Sequence, residues 1–403
     1  MRRITFYLLC LFVFTIPLEQ LFIFENVISI SRIAGAAAIG LGVLTVIVTG
    51  RLRRPGYILA LAAPFVFANI VSLFWTISVD ASIGRVLTYA QLVALVWLFG
   101  EFATEVWQLE AVFACYCLGA LVAIADDFRN FALGIDAGDL RFAASNFDPN
   151  DFGVTLGIAI PLAWYLVLHR SGFVRVLAGA LIPLACVAIL LTGSRAGFLA
   201  VIVALSIIPL TVSPRSAGSW LKVAAVLVLA GTAVAWVVPD TLWERVLTVG
   251  KELEGGTMSG RTAIWDAGLR VFRERPLLGV GAGAFAAAVE PLVGGRASHN
   301  VFLAILVEQG IVGSLTFAAL LLGCAWRIFR SPAGQRRFWA VIALTWLIGA
   351  LSLSWQFAKI TWMLISLLST RAVGNTKRTE ALPGLPRPYR REFEGVLGRP
   401  QPS

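Results

Sequence analysis

The stretch that decides the reading of this chain is SGRTAIWDAGLRVFRERPLLGVGAGAFAAAVEPLVGGRASHNVFLAILVEQGIVG, residues 259–313. It begins polar, with Arg261, and then takes a helical period. Ile264, Trp265, Gly268, Leu269 and Phe272 share one face, and Asp266, Arg270, Arg273 and Glu274 share the other. Such a helix lies on a membrane surface or against a bundle, with Ser259 placed to cap it and Pro276 just beyond its end. A Pro/Gly break follows. The pair His299-Asn300 then stands where the chain enters a new apolar run. An arginine-bearing polar segment of this length between two apolar runs marks a working outer segment of a membrane protein.

The rest of the chain supplies the membrane. It is 58% hydrophobic and 14% charged, with a mean hydropathy of +0.83. Soluble domains carry about 25% charged residues, so the composition specifies an all-α polytopic membrane protein. A helical span takes about 20 apolar residues. On that measure spans fall near 4–24, 31–49, 57–76, 86–100, 109–125, 152–169, 174–192, 196–212, 220–238, 300–323, 338–354 and 356–370, about twelve in all. This divides the chain into nine spans over 1–238, a long outer loop over 239–299 before the tenth span, three spans over 300–370 and a Pro/Gly/Arg-rich tail over 371–403. The tail has no apolar period and reads as disordered. The N-terminal Arg2-Arg3 and its apolar run resemble a signal peptide but continue past Pro17 without a small-x-small site, so an uncleaved first span is expected.

The net charge of +10 does not point to nucleic acid. Four lysines leave arginine to carry it, mostly in short loops between spans. Arg2, Arg3, Arg51, Arg53, Arg54, Arg170, Arg175, Arg215, Lys222, Arg327, Arg330, Arg336 and Arg337 fall on one side, with the tail; the positive-inside bias makes that side cytoplasmic, with both termini. The acidic turn 101–108 is the exception. The outward segments are then 77–85, 126–151 and 239–299. The five cysteines all lie in apolar runs and read as small hydrophobes rather than disulfides or metal ligands.

Several residues outside the opening stretch invite chemistry. Arg195, in the outward turn 192–197, opposes the charge bias, so it either pairs with a loop carboxylate or binds an anion through its planar fork. Arg141 and Arg261 are two further outward arginines that could converge with it. A lone histidine is more often structural than catalytic; beside arginines at the outer mouth of a span, His299 fits a base next to a pyrophosphate leaving group. His169, beside Arg170 at the opposite end, reads as interfacial. Asp126, Asp127, Asp136, Asp139, Asp148 and Asp151 could bind a divalent ion but fit a solvated anionic loop better. Lys359 lies within the last span, where a lysine is paired or functional, with Glu308 or a pyrophosphate as partner. The glycines of 279–283 lack the strand and the Lys-Ser/Thr ending of a nucleotide loop and read as a flexible turn.

In order along the chain, LFWTISVDASIGRVLTYAQ (73–91), RFAASNFDPNDFG (141–153), TGSRAGFLA (192–200), the stretch 259–285, SHNVFLAILVEQGIVG (298–313) and Lys359…Trp362 resemble the O-antigen ligase and polymerase superfamily of bacterial envelope glycosyltransferases. The resemblance runs over nearly the whole chain, and its weight lies in the ordered set rather than in any one piece. It implies a GT-C-like, metal-independent transferase in the bacterial inner membrane, needing no cofactor. The implied donor is a glycan on undecaprenyl pyrophosphate at the periplasmic face. It also implies that Arg195 and Arg261 hold the pyrophosphate, that His299 activates the acceptor hydroxyl, and that Arg141, Asn150, Trp265, Asn300 and Lys359 support them. Transfer to lipid A–core, as in a ligase, is the first expectation and repeat-unit polymerisation the second; transfer to a protein hydroxyl is a third. A lipid-linked sugar flippase or polysaccharide transporter would spread charges through several spans and repeat its halves. Here polar residues gather at the outer mouth.

Overall fold

Inside a bilayer every backbone polar group must find its partner within the protein, and helices achieve that along their own length. The computed structural model describes residues 1–24, 28–138, 140–211, 238–247 and 260–370, with isolated positions between 212 and 237. In chain order the helices are α1 (Arg2–Thr15), α2 (Ile30–Thr49), α3 (Tyr57–Val71), α4 (Val79–Phe102), α5 (Val106–Leu133), α6 (Pro149–His169), α7 (Gly172–Leu191), α8 (Arg195–Leu205), α9 (Ile207–Thr211), α10 (Asp240–Leu247), α11 (Arg261–Glu274), α12 (Phe285–Val293), α13 (Val301–Phe329), α14 (Ala333–Ser352) and α15 (Lys359–Ser369). A two-residue antiparallel ladder, Ile23–Phe24 with Ile28–Ser29, turns the chain between α1 and α2.

The chain is an all-α, multi-pass membrane protein. Among the described residues seven helices are long and apolar enough to cross a membrane: α2, α3 with its extension to Phe74, α4, α5, α6, α7 and α13. The runs expected at 4–24, 196–212, 338–354 and 356–370 are occupied by shorter or more polar helices. The first of these ends as a helix at Thr15. The expected span at 220–238 lies almost entirely outside the described residues, as does the tail 371–403. Two boundaries move. Residues 126–133, expected in an outer loop, extend α5 by two turns; the outward segment 77–85 is largely the start of α4.

The two ends of the bundle differ in charge as the arginine pattern requires. At the basic end Arg2 pairs with Glu101 at 2.5 Å, and the backbone N–H of Arg53 donates to the same carboxylate at 2.8 Å. Arg170 pairs with Glu110 at 3.0 Å. The acidic turn that stood out in the sequence is therefore the buried counter-charge of the basic end. His169 stacks on Tyr165 with centroids 4.0 Å apart, a structural place at that same end.

Helix α6 is the central post. Of its membrane window 78% is buried, against 33% for α2, α3 and α4, so it touches protein on nearly every side. It meets α8 through Gly153 and Gly197: a Cβ on Gly153 would lie 3.2 Å from the Gly197 Cα. Without a hydrophobic drive between helices in lipid, such small-residue contacts supply the dispersion that holds them.

The opening stretch forms a cap at the other end. Its buried face is Ile264, Ala267, Gly268 and Val271, rotated from the one expected, so that Leu269 stays exposed. With Val280, Phe285, Val289 and Val307 this face builds a small second core against α12 and α13. The helix thus rests on the bundle rather than on lipid alone. The glycine run at 279–283 is more than a turn. Helix α13 breaks at Gly310 (φ 62°, ψ −161°), and residues 276–281 dock into the break. The amides of Val280 and Gly281 donate to the Val307 and Glu308 carbonyls at 3.0 and 2.8 Å, and those of Ile311 and Val312 donate to the Pro276 and Leu277 carbonyls at 2.8 and 3.2 Å.

The break admits only glycine at its two closest points. A Cβ on Gly279 would lie 2.5 Å from the Glu308 carbonyl carbon, and one on Gly310 would lie 2.4 Å from Leu277. Gly279→Ala and Gly310→Ala are each expected to lose about 1–3 kcal/mol by overpacking. In detergent they should melt well below the parent protein. Gly84→Ala, at a position with open space around it, should melt with the parent. Equal melting of all three variants would contradict the docked break.

Candidate functional site

The site lies at the end of the bundle opposite the basic one, where the starts of α6 and α8 meet. Asp148 caps α6, accepting from the backbone N–H of Asn150 at 2.8 Å and of Asp151 at 3.2 Å. The side-chain oxygen of Asn150 accepts from Arg141 Nη2 at 2.9 Å and from the Ser194 hydroxyl at 3.0 Å, while Arg141 Nε donates to the Thr192 carbonyl at 2.7 Å. Ser194 in turn caps α8 through the Gly197 amide at 3.1 Å. Arg141 and Asn150 are therefore a latch. They fix the turn that presents Arg195, the first residue of α8.

His299 is set by a second group of contacts. Trp265, on α11, donates its indole N–H to the Ser298 carbonyl at 3.0 Å. Ser354, in the turn between α14 and α15, accepts from the His299 backbone N–H at 3.2 Å. Asn300 caps α13 through the Leu303 amide at 3.0 Å. Between these anchors His299 takes φ 48°, a left-handed conformation that a residue with a side chain adopts only when its surroundings impose it.

The charges of Arg195, Arg261, Asp148 and His299 act on one another. Burial holds the Arg261 pKa below its ordinary value; the Asp148 carboxylate opposes the shift, and the like charge of Arg195 adds to it. Burial likewise lowers His299 from its ordinary 6.5, helped by Arg261 and opposed by Asp148. The imidazole is accordingly neutral at pH 7. Of the three outward arginines, Arg195 and Arg261 feel each other's charge, while Arg141 bonds to the Thr192 carbonyl and Asn150.

Beside His299 a cavity of about 430 Å³ runs into the bundle. Its lining combines the polar His299, Asp148, Asp151, Ser354, Glu19, Arg32 and Lys359 with apolar residues that include Phe12, Ile39 and Leu95. Arg195 and Arg261 lie outside its wall. Lys359, the first residue of α15, pairs with Glu19 and also donates to the Ser29 hydroxyl at 3.4 Å, so its partner is not the expected Glu308. Glu308 is buried at the break in α13, near Arg85 and bonded to the backbone of Gly283 and Phe285. The loop acids are largely structural. Asp126 accepts from the Ser145 amide, Asp136 from the Leu140 amide, and Asp151 from the Trp355 indole; Asp139 lies outside the described residues. Glu19, Arg32, Ser354 and Trp355 were not singled out from the sequence. They sit in short turns or first helical turns, where spacing carries no signal.

The fold is thus a multi-pass helical bundle with a cavity lined by His299 and, near it, two arginines that act electrostatically on one another. The comparisons with known proteins narrow the class. The family model described as O-antigen ligase matches residues 180–318, the stretch that holds Arg195, Arg261 and His299. No curated protein matches the chain.

With only two histidines in the chain, the protonation of His299 can be read directly. Histidine-labelled protein in detergent, with His169→Gln to assign the spectrum, should show His299 titrating below 6.5. Arg261→Ala should raise that midpoint, because a repelling charge is removed. Asp148→Asn, which keeps the helix cap, should lower it further. A midpoint unmoved by both substitutions would remove the electrostatic coupling.

Proposed function

We propose that the protein is a glycosyltransferase of the GT-C type, working at the periplasmic face of the bacterial inner membrane. It moves a glycan from undecaprenyl pyrophosphate to an acceptor hydroxyl, with lipid A–core as the acceptor of an O-antigen ligase. The observation that supports the reading is the mutual electrostatic influence of Arg261 with Arg195 and with His299, all three inside the stretch similar to O-antigen ligase, beside a cavity that His299 and Asp148 line. In this reading the His299 imidazole takes the proton of the acceptor hydroxyl. The acceptor oxygen bonds to the anomeric carbon as the bond from that carbon to the phosphate oxygen breaks, and undecaprenyl pyrophosphate leaves with the electron pair. Arg195 and Arg261 neutralise the charge that grows on it. The proton then passes from the imidazolium to solvent. Trp265 and Asn300 hold the base in place, and Arg141 and Asn150 hold Arg195.

A second reading, polymerisation of O-antigen or exopolysaccharide repeats, draws support from the modest outer cap. Among the described residues between α10 and α13 it consists of α11 and α12, a small platform for receiving a large core acceptor. The two readings share donor, base and arginines.

Surface-glycan profiling in a deletion strain tests the reading. His299→Ala should lower transfer by about 10²–10⁴-fold, the usual contribution of a general base, and Arg261→Ala by about 10²–10³-fold, typical for loss of one electrostatic donor. Long chains stranded on the carrier beside bare lipid A–core mark a ligase, and single repeats mark a polymerase. Full rescue of the strain by both variants would sink the catalytic assignment, and an unchanged profile in the deletion strain would sink the function.

A further inference from the structure

A second cavity, of about 250 Å³, lies between α13, α14 and α15, and no charged residue lines it. On α13 its wall is Leu321, Cys324, Ala325 and Ile328; on α14 it is Trp339, Ile342, Ala343 and Trp346. Both sets follow the spacing i, i+3, i+4, i+7, so each is one stripe along one helix face. The floor is α15, where Leu364, Ile365 and Leu368 are buried, while Ala325 and Leu344 at the rim are exposed. The cavity is therefore a groove open to the outside of the bundle. At its inner end the Thr361 hydroxyl is already satisfied: it accepts from the Trp346 indole at 2.9 Å and donates to the Trp355 carbonyl at 2.8 Å. What fills the rest of the groove has to be apolar.

The other end of the groove is basic. Helix α13 ends at Phe329 and α14 begins at Ala333, so the residues between them cross that end. Arg330, Arg336 and Arg337 are exposed there, and Arg336 continues the α14 stripe one turn before Trp339. Arg330 lies over the Trp326 ring at 4.7 Å and Arg336 over the Phe329 ring at 6.0 Å, while Arg337 Nη1 donates to the Leu210 carbonyl at 3.0 Å. A guanidinium held by its face keeps the donors on its edge for an oxyanion. Elsewhere at this end arginines meet carboxylates, as Arg2 meets Glu101 and Arg170 meets Glu110. At this corner none is supplied. The chain carries no Asp or Glu between Glu308 and Glu380, and among the described residues these three arginines make no ion pair.

An apolar groove between membrane helices that ends among arginines suits one kind of molecule, with a head for the charges and a chain for the groove. From Trp339 to Trp346 the wall runs about 10 Å at 1.5 Å per residue, so a head level with Arg336 hangs its chain along it. We infer that this groove is the seat of a glycerophospholipid whose head carries net negative charge. Its phosphate lies among Arg330, Arg336 and Arg337, and one acyl chain lies along Ala325, Ala343 and Leu364. A zwitterionic lipid offers the same chain but brings an ammonium to a cationic corner, so the arginines select by charge. The seat is at the end opposite His299, and its test is independent of the donor reading above.

Full-length protein in detergent is titrated with phosphatidylglycerol, and separately with phosphatidylcholine of the same chains, and followed by native mass spectrometry. The parent protein should hold phosphatidylglycerol more tightly by about tenfold or more. Arg330→Gln combined with Arg336→Gln and Arg337→Gln should bring the two affinities together. Arg51→Gln combined with Arg54→Gln, at basic positions elsewhere on the same end, should keep the preference. Ala325→Trp and Ala343→Trp, which fill the groove from either wall, should each weaken both lipids by about tenfold or more. Leu315→Trp, on α13 outside the groove and 65% exposed, should bind both as the parent does. Equal affinity of the parent for the two lipids would overturn the inference. So would a preference lost equally in the Arg51 and Arg54 variant, which would reduce it to general surface attraction. Unchanged binding in both groove-filling variants would overturn the groove as the seat. Dimers that Ala343→Trp separates into monomers would overturn it too, by making the groove a contact between copies of the chain.

Discussion

The break in α13 is the constraint on which the outer half of the molecule depends. At membrane depth an unpaired carbonyl or amide costs several kcal/mol, so a helix can be interrupted only where other backbone fills the gap. Residues 276–281 fill it with four hydrogen bonds, two in each direction. The repair also positions the chain. The Ala282 amide donates to the Ser72 hydroxyl at 3.0 Å and the Ile77 amide to the Val280 carbonyl at 3.0 Å, so the same loop ties α13 to the corner between α3 and α4. On the other side it carries α11, whose Trp265 fixes the residue before His299. A helix break is thus turned into the mount that sets the backbone at His299.

Electrostatics sorts the two ends of the bundle by different rules. At the basic end arginines meet buried carboxylates in direct pairs, as Arg2 does with Glu101 and Arg170 with Glu110. At the site end Arg195 and Arg261 act on each other as like charges, with Asp148 shared between Arg261 and His299. Holding cations together against their repulsion costs free energy. The neutral imidazole follows from the same arrangement, since burial and a nearby guanidinium both disfavour its protonated form.

Much of this was open to sequence reading, and the failures have identifiable causes. The basic loops, the acidic exception at 101–108, the amphipathic 261–274 helix and the trio Arg195, Arg261 and His299 all stand out against an apolar chain, because each violates a local expectation. Leu269 was assigned to the wrong face because helical period alone leaves the rotation of the buried stripe uncertain by one residue when a small residue such as Ala267 can also pack. Asp126 and Asp127 have the look of a span end in sequence, yet α5 continues through them to Leu133. Lys359 was matched with Glu308 on charge alone; the turn between α1 and α2 instead delivers Glu19, 340 positions away in sequence.

The sequence by itself determined the class of protein, the polarity of its two ends and the identity of the chemically capable residues. Those properties are sums over composition and short-range pattern, and they survive any rearrangement of the helices. Tertiary structure alone decided that glycines 279 and 310 form one joint and that Arg141 and Asn150 bond to the turn before α8. Each of these depends on which helices become neighbours and at what rotation. In a bilayer that choice is made by close contacts of small residues and by the satisfaction of buried polar atoms, which pair residues far apart in the chain.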